Sequence, residues 1–190
     1  MAKVFYTVYL PQGRERTLLD AIRLFARPST RHPAHITLRG PYEDYHDPRD
    51  WSAKARGQTA FVGGVGIFKN AGKTAVFLQV DAPALKALKH TPEYPDSPPH
   101  LTLYDGDSPD FAASLMAMME ARNPQFEFTA TEVEPMVQGN GEYPLRALYE
   151  LNDLKDFMIE PPTPTEVDEA DPATRLKGIE ELAGHFSRSA

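Results

Sequence analysis

Two short segments of the chain repeat one pattern of residues that can carry out acid–base chemistry. The pattern is His-apolar-Thr-Leu, and it occurs as His35-Ile36-Thr37-Leu38 and again as His100-Leu101-Thr102-Leu103. At ordinary residue frequencies, a His-apolar-Thr-apolar tetrapeptide is expected roughly 0.03 times in a chain of this size. The repetition therefore indicates a function that needs both copies.

The side chains of the two motifs have complementary chemistry. Imidazole has an ordinary pKa of about 6.5 and can serve as either acid or base near neutral pH. With His35 and His100 on opposite sides of a phosphodiester, one imidazole would deprotonate the nucleophile while the other protonates the leaving oxygen. The hydroxyls of Thr37 and Thr102 can donate hydrogen bonds to phosphoryl oxygens. Together these groups predict cleavage of a phosphodiester without a metal ion.

Each motif is predicted to lie on a β-strand that has one polar face. Side chains alternate between the two faces of a strand, so each histidine projects with its threonine and the apolar residues project towards the core. Continuing the alternation adds Arg39 to the first polar row and Tyr104 to the second, as candidate substrate contacts. An arginine before a Gly-Pro turn is also often a plain surface residue, and a tyrosine at a strand end is often a packing residue. Both alternatives stay open for these two positions.

The rest of the chain alternates strand and helix patterns that would position the motifs. Besides the two motif strands, strands are predicted at 3–10, 59–68, 74–82, 126–138 and 145–151, and helices at 13–28, 47–57, 83–94 and 107–124. Ser108 followed by Pro109 is typical of a helix start. Each half thus contains a strand, a helix and a motif strand, which predicts a pseudo-symmetric α+β domain built on two sheets.

The paired motifs resemble those of the 2H phosphoesterase superfamily, the LigT-like proteins, which are named for two His-x-Thr motifs. The resemblance covers approximately residues 3 to 151 in the order of elements, and its specificity rests on the two tetrapeptides. It implies two pseudo-symmetric lobes, each an antiparallel sheet with helices outside, around a central cleft that carries both motifs. It also implies that His35 and His100 are the acid–base pair, and that Thr37 and Thr102 bind phosphate.

Members of that superfamily include RNA 2',3'-cyclic phosphodiesterases, 2'-5' RNA ligases, 2'-5' oligoadenylate hydrolases and phage enzymes that destroy cyclic oligonucleotide signals. The resemblance therefore implies a substrate that is a nucleotide or an oligonucleotide. Neither histidine can be assigned as the base or the acid from the sequence, because the two motifs are nearly equivalent.

Composition limits the partners and the compartment. The chain has 190 residues, a formal net charge of -7 and no cysteine, so it has no disulfide, zinc-thiolate site or thiol nucleophile. This composition fits a reducing compartment. The negative charge disfavours long nucleic acids and favours a small nucleotide or short oligonucleotide. The start of the chain lacks a signal-peptide pattern and no apolar run reaches membrane length, so a cytoplasmic protein without membrane contact is expected.

The composition changes near residue 153. Residues 1–152 are expected to form the phosphoesterase-like domain, and residues 153–190 are expected to form an acidic, Pro-rich linker followed by a C-terminal helix. Three roles stay open for this tail, which could cap the cleft, form a dimer contact or remain disordered.

Three functional alternatives remain from the sequence, and the third, a structural or partner-binding protein, would rest on the acidic tail. The first is a phosphodiesterase without metal or other cofactor, acting on a 2',3'-cyclic phosphate or on a cyclic di- or trinucleotide. The second is a non-catalytic nucleotide-binding module that senses or sequesters a ligand in the same cleft. A metal site formed by His32 and His35 is disfavoured, because Pro33 lies between them and a third ligand is not evident.

Overall fold

One antiparallel sheet of seven strands organises the fold in the computed structural model, which describes residues 3–70, 72–137 and 153–186. The strands are β1 (Val4–Tyr9), β2 (His35–Tyr42), β3 (Thr59–Asn70), β4 (Lys73–Asp81), β5 (His100–Gly106), β6 (Gln125–Thr129) and β7 (Glu134–Val137). Their order across the sheet is β6-β3-β4-β5-β2-β1-β7. The two motif strands, β2 and β5, are therefore neighbours at the centre.

Besides one turn of 3-10 helix at Asp153–Asp156, six α-helices accompany the sheet in the described part of the chain. They are α1 (Arg14–Ala26), α2 (Arg49–Ala55), α3 (Pro83–Leu88), α4 (Pro109–Arg122), α5 (Pro164–Glu169) and α6 (Pro172–Ala183). The predicted start of α4 is confirmed, since the Ser108 side chain accepts a hydrogen bond from the Phe111 N–H. Helices α1 and α4 pack on the sheet, and α6 packs on both of them. None of the helices in the described ranges is long and apolar enough to span a bilayer.

A row of buried apolar residues crosses the centre of the sheet on one face. Val8, Ile36, Leu101 and Leu78 are aligned across β1, β2, β5 and β4, and each is at most 1% exposed. Because side chains alternate along a strand, the residues that flank this row project to the opposite face. Those flanking residues include the histidine and the threonine of each motif.

The sheet is continuous, so the prediction of two separate sheets is wrong. Ile36 of β2 is paired antiparallel with Leu101 of β5, and this contact joins the two halves of the chain. The α+β class is confirmed. The sequence pattern could not distinguish the two arrangements, because strand periodicity does not say which strands become neighbours.

The strand predicted at 126–138 is also wrong, because this segment forms two strands on opposite edges of the sheet. Between β6 and β7 the chain leaves the sheet and bonds to the region of α2. Ala130 exchanges backbone hydrogen bonds with Gly57 and Gln58, and the Val133 N–H donates to the Ser52 hydroxyl at 2.9 Å. The strand predicted at 145–151 lies outside the described residues.

The tail is joined to the domain rather than held apart from it. Its apolar residues complete the core, and those that are buried are Leu154, Phe157, Met158, Val167, Ile179, Leu182 and Ala183. Helix α6 lies so close to α1 that a Cβ atom added at Gly178 would be 2.3 Å from the ring of Phe25. Arg175 of α6 donates to the backbone oxygen of Ala26 at 3.3 Å. The acidic, Pro-rich segment at 160–172 is mostly exposed and has Val167 as its one buried residue, while the parts of the tail on either side of it pack against the core.

Candidate active site

The register of β2 and β5 brings the two motifs together. Ile36 and Leu101 are Cα partners in an antiparallel pair. Continuing this register sets the histidine of each motif opposite the threonine of the other. The two histidines then occupy diagonal positions, which in antiparallel strands lie about 7–8 Å apart. Two imidazoles and two hydroxyls thus share one patch of the sheet face that is turned away from the core.

These four side chains are accessible to a ligand. His35, Thr37, His100 and Thr102 are each half-buried, whereas the apolar residues between them are fully buried. The patch is therefore a partly exposed polar surface that lies over buried apolar residues.

The two imidazoles are held in the same way. Nδ1 of His35 lies 2.7 Å from the backbone oxygen of Pro33, and Nδ1 of His100 lies 2.7 Å from the backbone oxygen of Pro98. A carbonyl oxygen can only accept a hydrogen bond, so each Nδ1 carries a proton and donates it. Nε2 of each neutral ring is then unprotonated and able to take a proton from another molecule.

The shared proline is a feature that sequence reasoning missed. The repeat is longer than four residues, because "PAHITL" at 33–38 and "PPHLTL" at 98–103 both have proline two positions before histidine. Proline fixes its own φ angle and has no N–H, which favours an extended entry into each strand. The two prolines are visible in the sequence, but they matter because their backbone oxygens, not their side chains, accept the hydrogen bonds from the histidines.

Both motif strands contain a register irregularity at the same motif position. The pairing of β2 with β1 slips at Leu38, and the pairing of β5 with β4 slips at Leu103. An extra residue in one strand interrupts the alternation of side chains between faces. The polar rows predicted from alternation therefore end at the threonines and do not extend to Arg39 or Tyr104.

Tyr104 lies in the core, and its predicted place in the polar row is wrong. Its ring centroid is 5.1 Å from that of Phe111 in α4, and its hydroxyl accepts a hydrogen bond from the Ser108 N–H at 3.1 Å. The residue is only 7% exposed. Packing against α4, rather than substrate contact, accounts for this tyrosine.

Arg39 is engaged by two helices. Its guanidinium lies 4.5 Å from the centroid of the Trp51 ring in α2, and it donates to the backbone oxygen of Leu88 in α3 at 2.9 Å. These two contacts use one N–H donor and one face of the guanidinium, and its Nε is buried. The geometry therefore gives Arg39 a role in joining β2 to α2 and α3.

The surroundings of His35 are polar and positively charged. The ring of Tyr9 lies 5.6 Å away and that of His32 lies 6.4 Å away, both edge-on. Burial and the positive charge of Arg23 lower the pKa of His35 to about 3, although the Pro33 carbonyl acts in the opposite direction. His100 is also close enough to lower this pKa by its charge. His35 is therefore neutral at physiological pH.

The surroundings of His100 are aromatic. Its ring lies 4.9 Å from Phe77 and 5.3 Å from Phe68, and these two phenylalanines stack on each other at 4.3 Å. Burial lowers the pKa of His100, and the positive charge of Lys89 adds to this effect, while the Pro98 carbonyl opposes it. Both histidines are thus neutral in the free protein, but for partly different reasons.

Another ligand-sized feature lies away from the motifs. A cavity of about 700 Å³ is lined by β6 and by the loop between β1 and α1, and neither motif contributes to it. Within residues 3–70, 72–137 and 153–186, no group of three or more histidine, aspartate or glutamate side chains is placed to hold a metal ion.

No protein-family model, no curated protein and no solved structure matches this chain. The function must therefore be argued from the geometry of the two motifs.

Proposed function

We propose that this chain is a metal-independent phosphodiesterase in which His35 and His100 act as an acid–base pair, as in the 2H phosphoesterases that its motifs resemble. The observation that carries the proposal is the matched pair of Nδ1 hydrogen bonds to the carbonyls of Pro33 and Pro98. These bonds fix both rings and leave both Nε2 atoms free. Concerted transfer of two protons needs two ring nitrogens in fixed positions.

In the proposed reaction, Nε2 of one neutral histidine takes a proton from a water molecule while the water oxygen forms a bond to phosphorus. The bond between phosphorus and the leaving ester oxygen breaks, and the other histidine, in its protonated form, gives its proton to that oxygen. Exchange of protons with solvent then restores the starting state. Thr37 and Thr102 donate hydrogen bonds to the non-bridging oxygens, where negative charge accumulates.

Substrate binding helps to create the acid. Both histidines have a lowered pKa in the free protein, so both are neutral near pH 7. A negative charge placed within a few ångströms favours the protonated form of imidazole. A phosphate group bound between the two rings would therefore raise the pKa of at least one of them. The protonated imidazole would then form only when a substrate is bound.

The substrate in this proposal is a nucleotide with a 2',3'-cyclic phosphate or a cyclic di- or trinucleotide. The net charge of -7 favours a small substrate over a long polyanion. The four motif residues are each half-buried rather than enclosed, which suits a phosphodiester with groups on both sides.

We further propose that the two halves of the chain are related by a pseudo-twofold axis between β2 and β5. Three repeated features support this relation. Each histidine is opposite the threonine of the other motif, each is bonded to a proline carbonyl two residues earlier, and each motif strand is irregular at its final leucine. This symmetry would define two lobes around the site.

The test is a panel of 2',3'-cyclic mononucleotides, cyclic dinucleotides and trinucleotides, and 2'-5' and 3'-5' linked oligonucleotides. Products are identified by mass spectrometry, with and without a chelator. We expect hydrolysis of at least one cyclic substrate, unaffected by the chelator, and loss of the product with either His35→Gln or His100→Gln. His90→Gln is the matched control, because His90 is an exposed histidine outside the motifs.

Two outcomes would overturn the proposal. Binding of a panel member without any product would identify a non-catalytic nucleotide-binding module. Activity that the chelator abolishes would identify a metal-dependent enzyme.

A further inference from the structure

A buried ion pair in α1 holds the segment that leads into the first motif. Oδ1 of Asp20 accepts a hydrogen bond from the Ala34 N–H at 2.6 Å, and Nη1 of Arg23 donates to the backbone oxygen of His32 at 2.7 Å. The two side chains lie 3.5 Å apart as an ion pair. The backbone is therefore anchored immediately before and immediately after Pro33.

The burial of this ion pair is unusual for the molecule. Asp20 is 5% exposed and Arg23 is 7% exposed, and within the described ranges they are the only charged side chains that are fully buried. Removing two charges from water carries a large desolvation penalty, and apolar residues of similar size often stabilise a fold as well or better. The position of the pair, rather than its contribution to stability, is therefore the feature that needs an explanation.

That position bears directly on His35. The carbonyl of Pro33, which accepts the hydrogen bond from Nδ1 of His35, lies between the two anchored residues. Movement of the 32–34 segment would move this carbonyl and release Nδ1, which would allow the proton to shift to Nε2. Anchoring on both sides prevents this movement.

The segment before the second motif is held differently. The backbone oxygen of Pro99 accepts a hydrogen bond from the Val80 N–H at 3.1 Å, and the Ser97 hydroxyl accepts one from Nζ of Lys89 at 2.8 Å. These are a strand pairing and a half-buried loop contact, not a buried ion pair. Each histidine therefore donates the same kind of hydrogen bond to a proline carbonyl, but the contacts that hold that carbonyl in place differ between the two motifs.

We propose that Asp20 and Arg23 are positioning residues that keep His35 in its Nδ1–H form with Nε2 free, and that His35 is consequently the base and His100 the acid. The assignment of base and acid rests on the proposed function, whereas the positioning of His35 does not.

The charges around His35 agree with a base that stays neutral until it acts. Arg23 faces it from α1, Tyr9 from β1, His32 from the preceding loop and His100 from β5. Among these neighbours, Arg23 carries a permanent positive charge, which disfavours a second positive charge on His35. His100 has Lys89 as its charged neighbour, and the charge of this lysine lowers the pKa of His100 less than the Pro98 carbonyl raises it.

The first test observes the imidazole nitrogens of the full chain by long-range 1H–15N NMR, without substrate. We expect both motif histidines of the wild type to have a protonated Nδ1 and an unprotonated Nε2. Asp20→Ala should convert His35 to a mixture of both tautomers and leave His100 unchanged. Asp20→Asn should retain the wild-type tautomer, because an amide oxygen can still accept the hydrogen bond from Ala34.

The second test measures turnover of the substrate found in the panel. A small misplacement of a catalytic group can reduce the rate by as much as about 100-fold. We expect Asp20→Ala to lower kcat by about 10- to 100-fold while KM changes by less than about threefold. Asp20→Asn should recover most of the loss. Ser52→Ala is the matched control, since it removes a buried hydrogen-bonding group in α2 that bonds Val133 instead.

Three results would overturn the positioning role. They are an unchanged His35 tautomer in Asp20→Ala, an equal loss of kcat in Ser52→Ala, and a tautomer change in Asp20→Asn as large as that in Asp20→Ala. If Asp20→Ala does not fold, Arg23→Met replaces it, because it releases the backbone oxygen of His32 while leaving Asp20 in place. An unchanged His35 tautomer in Arg23→Met would overturn the positioning role in the same way. A tautomer change in a protein without turnover would support the positioning and reject the proposed function.

Discussion

The two halves of the site have the same local chemistry and different surroundings. In each half, a histidine donates from Nδ1 to a proline carbonyl at 2.7 Å. Around His35, however, lie a tyrosine, a second histidine and a buried arginine, whereas around His100 lie two stacked phenylalanines and a half-buried lysine. The repeated motif sets which nitrogen carries the proton, and the unrepeated neighbours set how readily each ring becomes charged.

In the proposed mechanism, this difference would give the two copies of the motif separate acid and base roles. Two identical environments would give two groups with equal affinity for a proton, and neither would be favoured as the acid. Pairs of titratable groups whose environments differ are the usual basis for separate acid and base roles. The asymmetry that matters here lies in residues outside the repeat.

The largest expected effect comes from removing either imidazole. His35→Gln or His100→Gln should each lower kcat by about 10²- to 10⁴-fold, the usual contribution of a general acid or base. The double variant should be little worse than either single variant, because the two groups act as one unit. Single-turnover and steady-state rates measure this. Fully multiplicative losses would show that the two halves act independently.

The second prediction concerns pH. His35 must be neutral to act as the base, which holds above its pKa of about 3. His100 must be protonated to act as the acid, and its pKa is lowered from the usual value. We therefore expect kcat/KM to be greatest below pH 6.5 and to fall by about tenfold per pH unit on the alkaline side.

The corresponding profile of kcat should extend to higher pH, because bound phosphate stabilises the protonated imidazole. Both profiles are measured over the range in which the protein stays folded, as monitored by circular dichroism. A kcat/KM that stays constant up to pH 8 would show that His100 is not the acid.

The third prediction tests the equivalence of the two threonines. Thr37→Val and Thr102→Val each remove a hydroxyl that would donate to a charged oxygen, a hydrogen bond worth about 1.5–3 kcal/mol. We expect each variant to lose about 10- to 100-fold in kcat/KM, by similar factors. Thr131→Val, at an exposed threonine outside the motifs, is the control. A loss confined to one threonine would show that the phosphate is bound by one half of the site.

The smallest effect is expected at Tyr104. Tyr104→Phe removes the hydroxyl that accepts from the Ser108 N–H, so the free energy of unfolding should fall by about 0.5–1.5 kcal/mol. Activity should change by less than twofold, because the ring packs on α4. Urea denaturation and kcat/KM report the two quantities separately. Lost activity with an unchanged free energy of unfolding would show that Tyr104 contacts the substrate.

Sequence reasoning succeeded where the periodicity of one strand was sufficient. The pairing of Ile36 with Leu101 places both histidines on the face opposite the core, as the alternation predicts. It failed one residue beyond each motif, because the irregularities at Leu38 and Leu103 depend on the pairing with β1 and β4. Those partners are distant in sequence, and no local pattern identifies them.

The other differences between the prediction and the structure also come from contacts between residues that are distant in sequence. Residues 126–138 have strand-like composition throughout, but contacts of Ala130 and Val133 with the region of α2 divide them between two edges of the sheet. Asp20 and Arg23 look like ordinary charged residues of an amphipathic helix in the sequence. Their contacts with Ala34 and His32 emerge only when α1 is packed against the segment that enters β2.

The packing of α6 on α1 connects the acidic tail to the first motif. Gly178 permits close contact with Phe25, and Phe25 belongs to the helix whose Asp20 and Arg23 hold the entry to the first motif. The last described helix is thus connected, through α1, to the segment that precedes His35. In the proposed phosphodiesterase, a chain that lacks α6 should lose turnover because α1 is no longer packed against it, and this loss would resemble the effect of removing a lid over the substrate.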